Sequence, residues 1–138
     1  MVWPEGPLVR PIDQDALLSA NILSIAVRKK PSVAIIPTGS ELVQPESPVE
    51  PGNIVEFNSR ILAGYISEWG GNPVRSLIVI DEPKHLHEAI SQAVQVHDLA
   101  VVNAGASVGT RDFTAAILAE LGDVVLHGIN IKPGKPVI

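Results

Sequence analysis

Leu99-Ala-Val-Val-Asn-Ala-Gly-Ala-Ser-Val-Gly-Thr-Arg-Asp-Phe113 is the stretch on which the fold turns. The apolar run Leu99–Val102 reads as a short central strand, buried on both faces as in a parallel sheet. A loop of small residues, Asn103–Arg111, separates it from an apolar-periodic helix beginning at Asp112. Gly105 and Gly109 free the backbone for positive φ and for close approach of a ligand. Asn103, Ser107 and Thr110 add side-chain donors and acceptors, and the helix N-terminus behind them favours negative charge. Open α/β sheets bind ligands at the carboxyl ends of their strands. The loop is also longer than a plain strand-to-helix turn, which would need Asp112 only as N-cap. The stretch therefore predicts a binding loop.

Composition bounds what surrounds it. A chain of 138 residues fits one domain with a proper core, and 46% hydrophobic with 18% charged residues is an ordinary globular balance. A net charge of −5 gives no electrostatic footprint for nucleic acid or an anionic membrane. The absence of cysteine removes disulfides, thiolate catalysis and Cys-ligated zinc, and it fits a reducing cytoplasm. No apolar run approaches a membrane span, and Met1 opens a Pro-rich segment without a signal-peptide core.

Outward from the central stretch, short apolar runs alternate with helical patterns. Asp13 reads as the N-cap of a short helix to Ala20, with Ala16, Leu17 and Ala20 on one face, and Ile25–Arg28 as a short strand. Ser32–Ile36 is a core strand ended by Pro37, and Thr38–Leu42 a loop at its carboxyl end. Gln44–Asn53, with Pro45, Pro48 and Pro51, is a long loop. Asn58 caps a helix to Trp69 whose stripe Ile61, Leu62, Tyr65, Ile66 and Trp69 faces the core, and Gly70-Gly71 stops it. Val74–Ile80 is the next buried strand. Asp81 is an N-cap candidate before Pro83, which opens a helix to about Val96 with Leu86, Ala89, Ile90, Ala93 and Val94 inward. Val124–Leu126 is a fourth strand after a helix stopped by Gly122. His85, His87, His97 and His127 lack metal-ligand spacing.

This alternation predicts an α/β fold: a three-layer α/β/α sandwich on a mostly parallel sheet. Glu41, Asp81 and Asp112 each follow a different strand and are expected on one edge. Three facing carboxylates repel unless a cation joins them, and oxygen-only ligands suit Mg²⁺ bridged to substrate phosphates. Lys132 and Lys135, stiffened by Pro133 and Pro136, form a basic turn able to meet an oxyanion. It is not a P-loop, because Ile129 stands where glycine is needed and Pro136 where Ser or Thr is needed. The residues alone point to a phosphorylated small molecule.

Val33-Ala-Ile-Ile-Pro-Thr-Gly-Ser-Glu-Leu-Val43, Asn58-Ser59, Asp81-Glu-Pro83, Asn103 through Thr114, and Lys132-Pro-Gly-Lys-Pro136 stand in order and at family spacing. Together they resemble the molybdopterin-binding domain of the MoeA/gephyrin family of molybdopterin molybdenumtransferases, over about Asp13–Ile138. The Asn-Ala-Gly loop is similar to a branch fused to a substrate-binding domain of the LysR or periplasmic type. The resemblance implies insertion of molybdate into adenylylated molybdopterin with Mg²⁺ and release of AMP. It gives Glu41, Asp81 and Asp112 catalytic and metal-binding roles. It gives Thr38, Gly39, Asn103, Gly105, Ser107, Gly109, Lys132 and Lys135 cofactor-binding roles.

Two departures stand out. Asn103-Ala104 replaces the usual Ser-Gly before Gly105, and the family continues beyond Lys-Pro-Gly-Lys-Pro. The chain is accordingly expected to be part of a longer protein. Residues 1–31 would be a remnant of a preceding domain or linker, and 32–138 a C-terminally incomplete molybdopterin-binding domain. The expected partners are a small-molecule substrate, the remaining domains and further copies of the chain. A MogA/MoaB-like adenylyltransferase and a non-catalytic molybdopterin- or ligand-binding module remain open.

Overall fold

The structure is a computed structural model that describes residues 8–104, 113–126 and 128. Its elements run α1 (Pro11–Ser19), β1 (Ser32–Thr38), β2 (Leu42–Val43), β3 (Ile54–Val55), α2 (Asn58–Glu68), β4 (Asn72–Arg75), α3 (Pro83–Val96), β5 (Leu99–Ala104) and α4 (Phe113–Leu121). Three of the strands form a parallel sheet in the order β4-β1-β5, and β2 and β3 form a separate parallel pair.

β1 is the axis of the core. Its side chains alternate between two helical layers, so from Val33 to Pro37 every position is apolar and buried. Val33 and Ile35 pack on α2 through Ile66, Leu62 and Ala63. Ala34 and Ile36 pack on α3 and α4 through Leu86, Ile90, Ala93 and Ile117. Helices therefore cover both faces, and the three-layer α/β/α architecture follows from the strand's period of two. In α3 the buried residues fall at i, i+4 and i+7, one stripe of a helix, with Pro83 in the first turn. In α2 the chain leaves through Gly70 at φ +89°, a left-handed position that stops the helix.

Several boundaries differ from the sequence expectation, each for a local reason. β1 continues through Pro37 to Thr38. The Pro37 carbonyl still accepts from the Val79 N–H at 2.9 Å, and the missing donor falls where β4 has already ended. The strand expected at Val74–Ile80 is Asn72–Arg75 followed by a single bridge between Val79 and Thr38. Between them the Ser76 hydroxyl donates to the Leu77 carbonyl at 2.8 Å and Leu77 turns to solvent. The Asn72 and Ser76 N–H groups donate to Pro31 and Ile35, so the nitrogen of Pro73 faces away from β1.

β5, expected to be central and buried on both faces, is an edge strand among the described residues, and Leu99 is 55% exposed. The fourth strand expected at Val124–Leu126 is not formed, with Val125 95% exposed. Ile25–Arg28 forms no strand among the described residues, and Ile25 and Val27 are exposed. α1 starts at Pro11, so Asp13 is its third residue rather than its cap; Leu17 is only half-buried and Ala16 and Ala20 are exposed. Phe57 and Glu82, not Asn58 and Asp81, occupy the cap positions of α2 and α3. Ile61, Tyr65, Trp69 and Val94 point outward, although helical spacing assigned them to the core.

Candidate functional site

Parallel strands deliver their carboxyl ends to one edge, and the loops leaving it carry the residues of interest. β1 ends at Thr38, which is 1% exposed, and its Oγ1 has no hydrogen-bond partner among the described residues. A buried hydroxyl is almost always satisfied, so an orphan at a strand's carboxyl end marks a place where a polar group is missing. Gly39 follows, its N–H donating to the Val79 carbonyl at 3.1 Å. A Cβ there would lie 2.9 Å from Leu42 Cγ and 3.1 Å from Glu41 Oε2, so glycine is required for Glu41 to fold back over the turn. The Glu41 carbonyl then accepts from the Ile54 N–H at 2.9 Å, which opens the β2–β3 pair.

Asp81 leaves the same edge. It follows Val79, which bridges Thr38, so Glu41 and Asp81 depart from adjacent chains at one end of the sheet. Asn103 is level with Pro37 and Ala104 with Thr38 in the β1–β5 ladder. Asp112, Gly105, Ser107, Gly109, Lys132 and Lys135 lie outside the described residues. Among the described residues no group of three or more His, Asp or Glu is assembled for a metal.

The two faces of this edge differ. By the period of two, Thr38 shares the face of Ala34 and Ile36, beneath α3 and α4. Asn103 falls on the opposite face, where it lines a small cleft with Leu42, Ile54, Val55, Glu56, Phe57 and Asn58. The cleft measures about 40 Å³, far below the roughly 300–1,000 Å³ of ordinary ligand pockets. As the described residues line it, the cleft has the size of a small polar group.

Behind the cleft lies a network that sequence reasoning missed. Glu56 is 3% exposed; its carboxylate accepts from the Ser59 N–H and the Ser59 Oγ, each at 2.7 Å. Arg60 Nη1 stands 3.5 Å from the same carboxylate, and Arg75 Nη1 reaches Ser59 Oγ at 3.5 Å. The carboxylate thus satisfies a donor at the α2 N-terminus and fixes Asn58 at the cleft rim. The signal was present in the spacing of Glu56, Ser59 and Arg60 across a helix start.

An open parallel sheet with helices on both faces and polar loops gathered at its carboxyl edge defines a ligand-binding α/β domain. The chain belongs to the family described as "Probable molybdopterin binding domain", whose profile matches residues 34–138. It is 37% identical over 121 residues to a molybdopterin molybdenumtransferase of Nostoc, covering 87% of this chain and 28% of that protein. It is 32% identical over 120 residues to the Drosophila melanogaster molybdenum cofactor synthesis protein cinnamon, covering 86% of this chain and 20% of that protein. Among solved structures, a molybdopterin biosynthesis MoeA protein from Pyrococcus horikoshii superposes with a TM-score of 0.73 at 41% identity. That match covers 91% of this chain and 31% of the other. The chain thus spans about a third or less of the relatives it matches. No helix among the described residues is long and apolar enough to cross a membrane.

Proposed function

We propose that the carboxyl edge of this sheet binds molybdopterin, in adenylylated form, and serves molybdate insertion as one domain of a longer molybdopterin molybdenumtransferase. The observation that carries this reading is the buried Thr38 hydroxyl at the end of β1, without a partner among the described residues, in a chain of the molybdopterin-binding family. The hydroxyl is a ready donor or acceptor for a ligand's polar atom. Glu41 and Asp81 supply two carboxylates from neighbouring loops, with Asp112 as the third. Such oxygen-only donors fit Mg²⁺, which takes one or two carboxylates and completes its shell with water and phosphate. When bound, the ion would neutralise phosphate charge and polarise the phosphoanhydride. The chain's own residues orient the ligand: Gly39, Gly105 and Gly109 admit it to the backbone, Asn103 and Ser107 hydrogen-bond it, and Lys132 and Lys135 face oxyanions.

Residues 32–138 form the ligand-binding unit in this reading, and the domain associates with further copies of itself. The test is calorimetric titration of the chain with adenylylated molybdopterin and Mg²⁺, alongside insertion assays of the longer protein. Asn ranks with Asp at helix N-termini, so Asp112→Asn is expected to lower stability by less than about 1 kcal/mol, whereas insertion collapses with the lost charge. Full insertion by Asp112→Asn would remove Asp112 from the site. Absence of binding by the unaltered chain would overturn the reading as a whole.

A further inference from the structure

Glu56 is a buried acid that the proposed site leaves unused. The cap position of α2 is held by Phe57, which makes no side-chain capping bond. The Glu56 carboxylate takes that place from one residue further out, accepting from the Ser59 N–H and Oγ at 2.7 Å each. Its backbone is pinned on the other side, where the Glu56 N–H donates to the Val43 carbonyl at 2.9 Å. Arg60 Nη1 donates to the Glu56 carbonyl at 3.2 Å and stands 3.5 Å from the carboxylate. Backbone and side chain of Glu56 together fix the passage from β3 into α2.

Asn58 lies inside this passage. Asparagine is among the best capping residues, yet here it is the first residue of the helix, and its carboxamide has no hydrogen bond among the described residues. The carboxamide of Asn103, near the end of β5, likewise has none among them. Both residues line the cleft at the carboxyl edge. A carboxamide carries donors and an acceptor side by side, and pairs with a ring edge of the complementary pattern. The described lining holds one carboxylate and no cation, which disfavours a phosphate and suits a neutral group.

We infer that Glu56 is a positioning residue: by capping α2 from outside, it frees the Asn58 carboxamide to hold, with Asn103, a neutral heterocycle edge of the ligand. This rests on the molybdopterin reading above, and it adds an anchor on the sheet face opposite Thr38. Adenylylated molybdopterin carries such edges on both its pterin and its adenine, and the experiment separates the two.

The test is a double-mutant cycle read by calorimetric titration of the full chain, in Mg²⁺, with adenylylated molybdopterin, molybdopterin and AMP. Asn58 is exposed, so its substitution leaves the fold intact. Asn58→Ala should weaken adenylylated molybdopterin about tenfold, as the loss of a hydrogen-bonded amide does. The same loss with molybdopterin alone assigns the pterin edge, and with AMP alone the adenine edge. Glu56→Gln keeps the shape but leaves one acceptor oxygen for two Ser59 donors, and should weaken binding several-fold. In the Asn58→Ala background it should weaken binding no further, while lowering the melting temperature in both backgrounds. That split separates positioning from support of the fold. Should Glu56→Gln fail to fold, Ser59→Ala, which removes only one donor to the carboxylate, takes its place in the cycle. Undiminished binding by Asn58→Ala, or effects on binding that simply add, overturns the inference and leaves the molybdopterin reading standing. An unaltered chain that binds none of the three ligands overturns both.

Discussion

In the function proposed above, stability and binding are set against each other within one side chain, Thr38. Its hydroxyl is buried without a partner among the described residues, and leaving such a group unsatisfied costs about 1–3 kcal/mol. Thr38→Val keeps the shape and removes the cost, so the thermal midpoint should rise while affinity for molybdopterin falls. Paired melting and titration measurements check both signs; a lower midpoint would mean the hydroxyl is satisfied after all. The edge position of Thr38, Gly39, Glu41 and Asp81 was legible in the sequence because each follows an apolar run. Glu56 was not, because an acid before a helix reads as solvated until its burial against Ser59 and Arg60 is known. Nor did local sequence reveal that Thr38 and Asn103 fall on opposite faces, which depends on the β1–β5 register.

α3 shows how far periodicity reaches at the scale of an element. Both Leu86 and Val94 fit an inward stripe by spacing, yet Leu86 is 1% exposed and Val94 55%. Val94 stands at the margin of the stripe that Leu86, Ile90 and Ala93 define, and whether a marginal position is covered depends on neighbours rather than on the helix. Leu86→Ala should therefore cost about 2–5 kcal/mol and Val94→Ala within roughly 0.5 kcal/mol, measured by denaturant unfolding. The Val79 bridge shows the same limit: the apolar run was visible, but its departure from β1 after Arg75 was not.

α1 is held differently, by charge at its first turn. The Arg10 guanidinium donates to Asp13 at 3.0 and 3.1 Å, and the Arg10 N–H donates to it at 2.8 Å. The side-chain bonds first, then the backbone bond, hold the Asp13 carboxyl below its usual 3.8. A lowered folded-state pKa gives a contribution fully present above 3.8 and lost as pH falls through the lowered value. The helical amide signals of Asp13–Leu17 should thus fade in acid below that point in NMR, and Asp13→Asn should abolish the pH dependence.

For the whole molecule, the alternation of apolar runs and helices was enough to give three layers, because a strand buried on both faces leaves no other arrangement. Strand order was not readable, since it depends on which crossovers bring β4 and β5 to either side of β1. The outer edge of β4 has a consequence for the molecule in company. Pro73 turns a nitrogen without hydrogen outward, so an incoming strand meets a ring where it needs a donor. In the vocabulary of polymers, the residue is a chain terminator, capping sheet growth at that end. Pro73→Val should restore the donor and raise light scattering on incubation at high protein concentration, with little change in the melting temperature. A sheet that ends in a proline can be crowded without being lengthened.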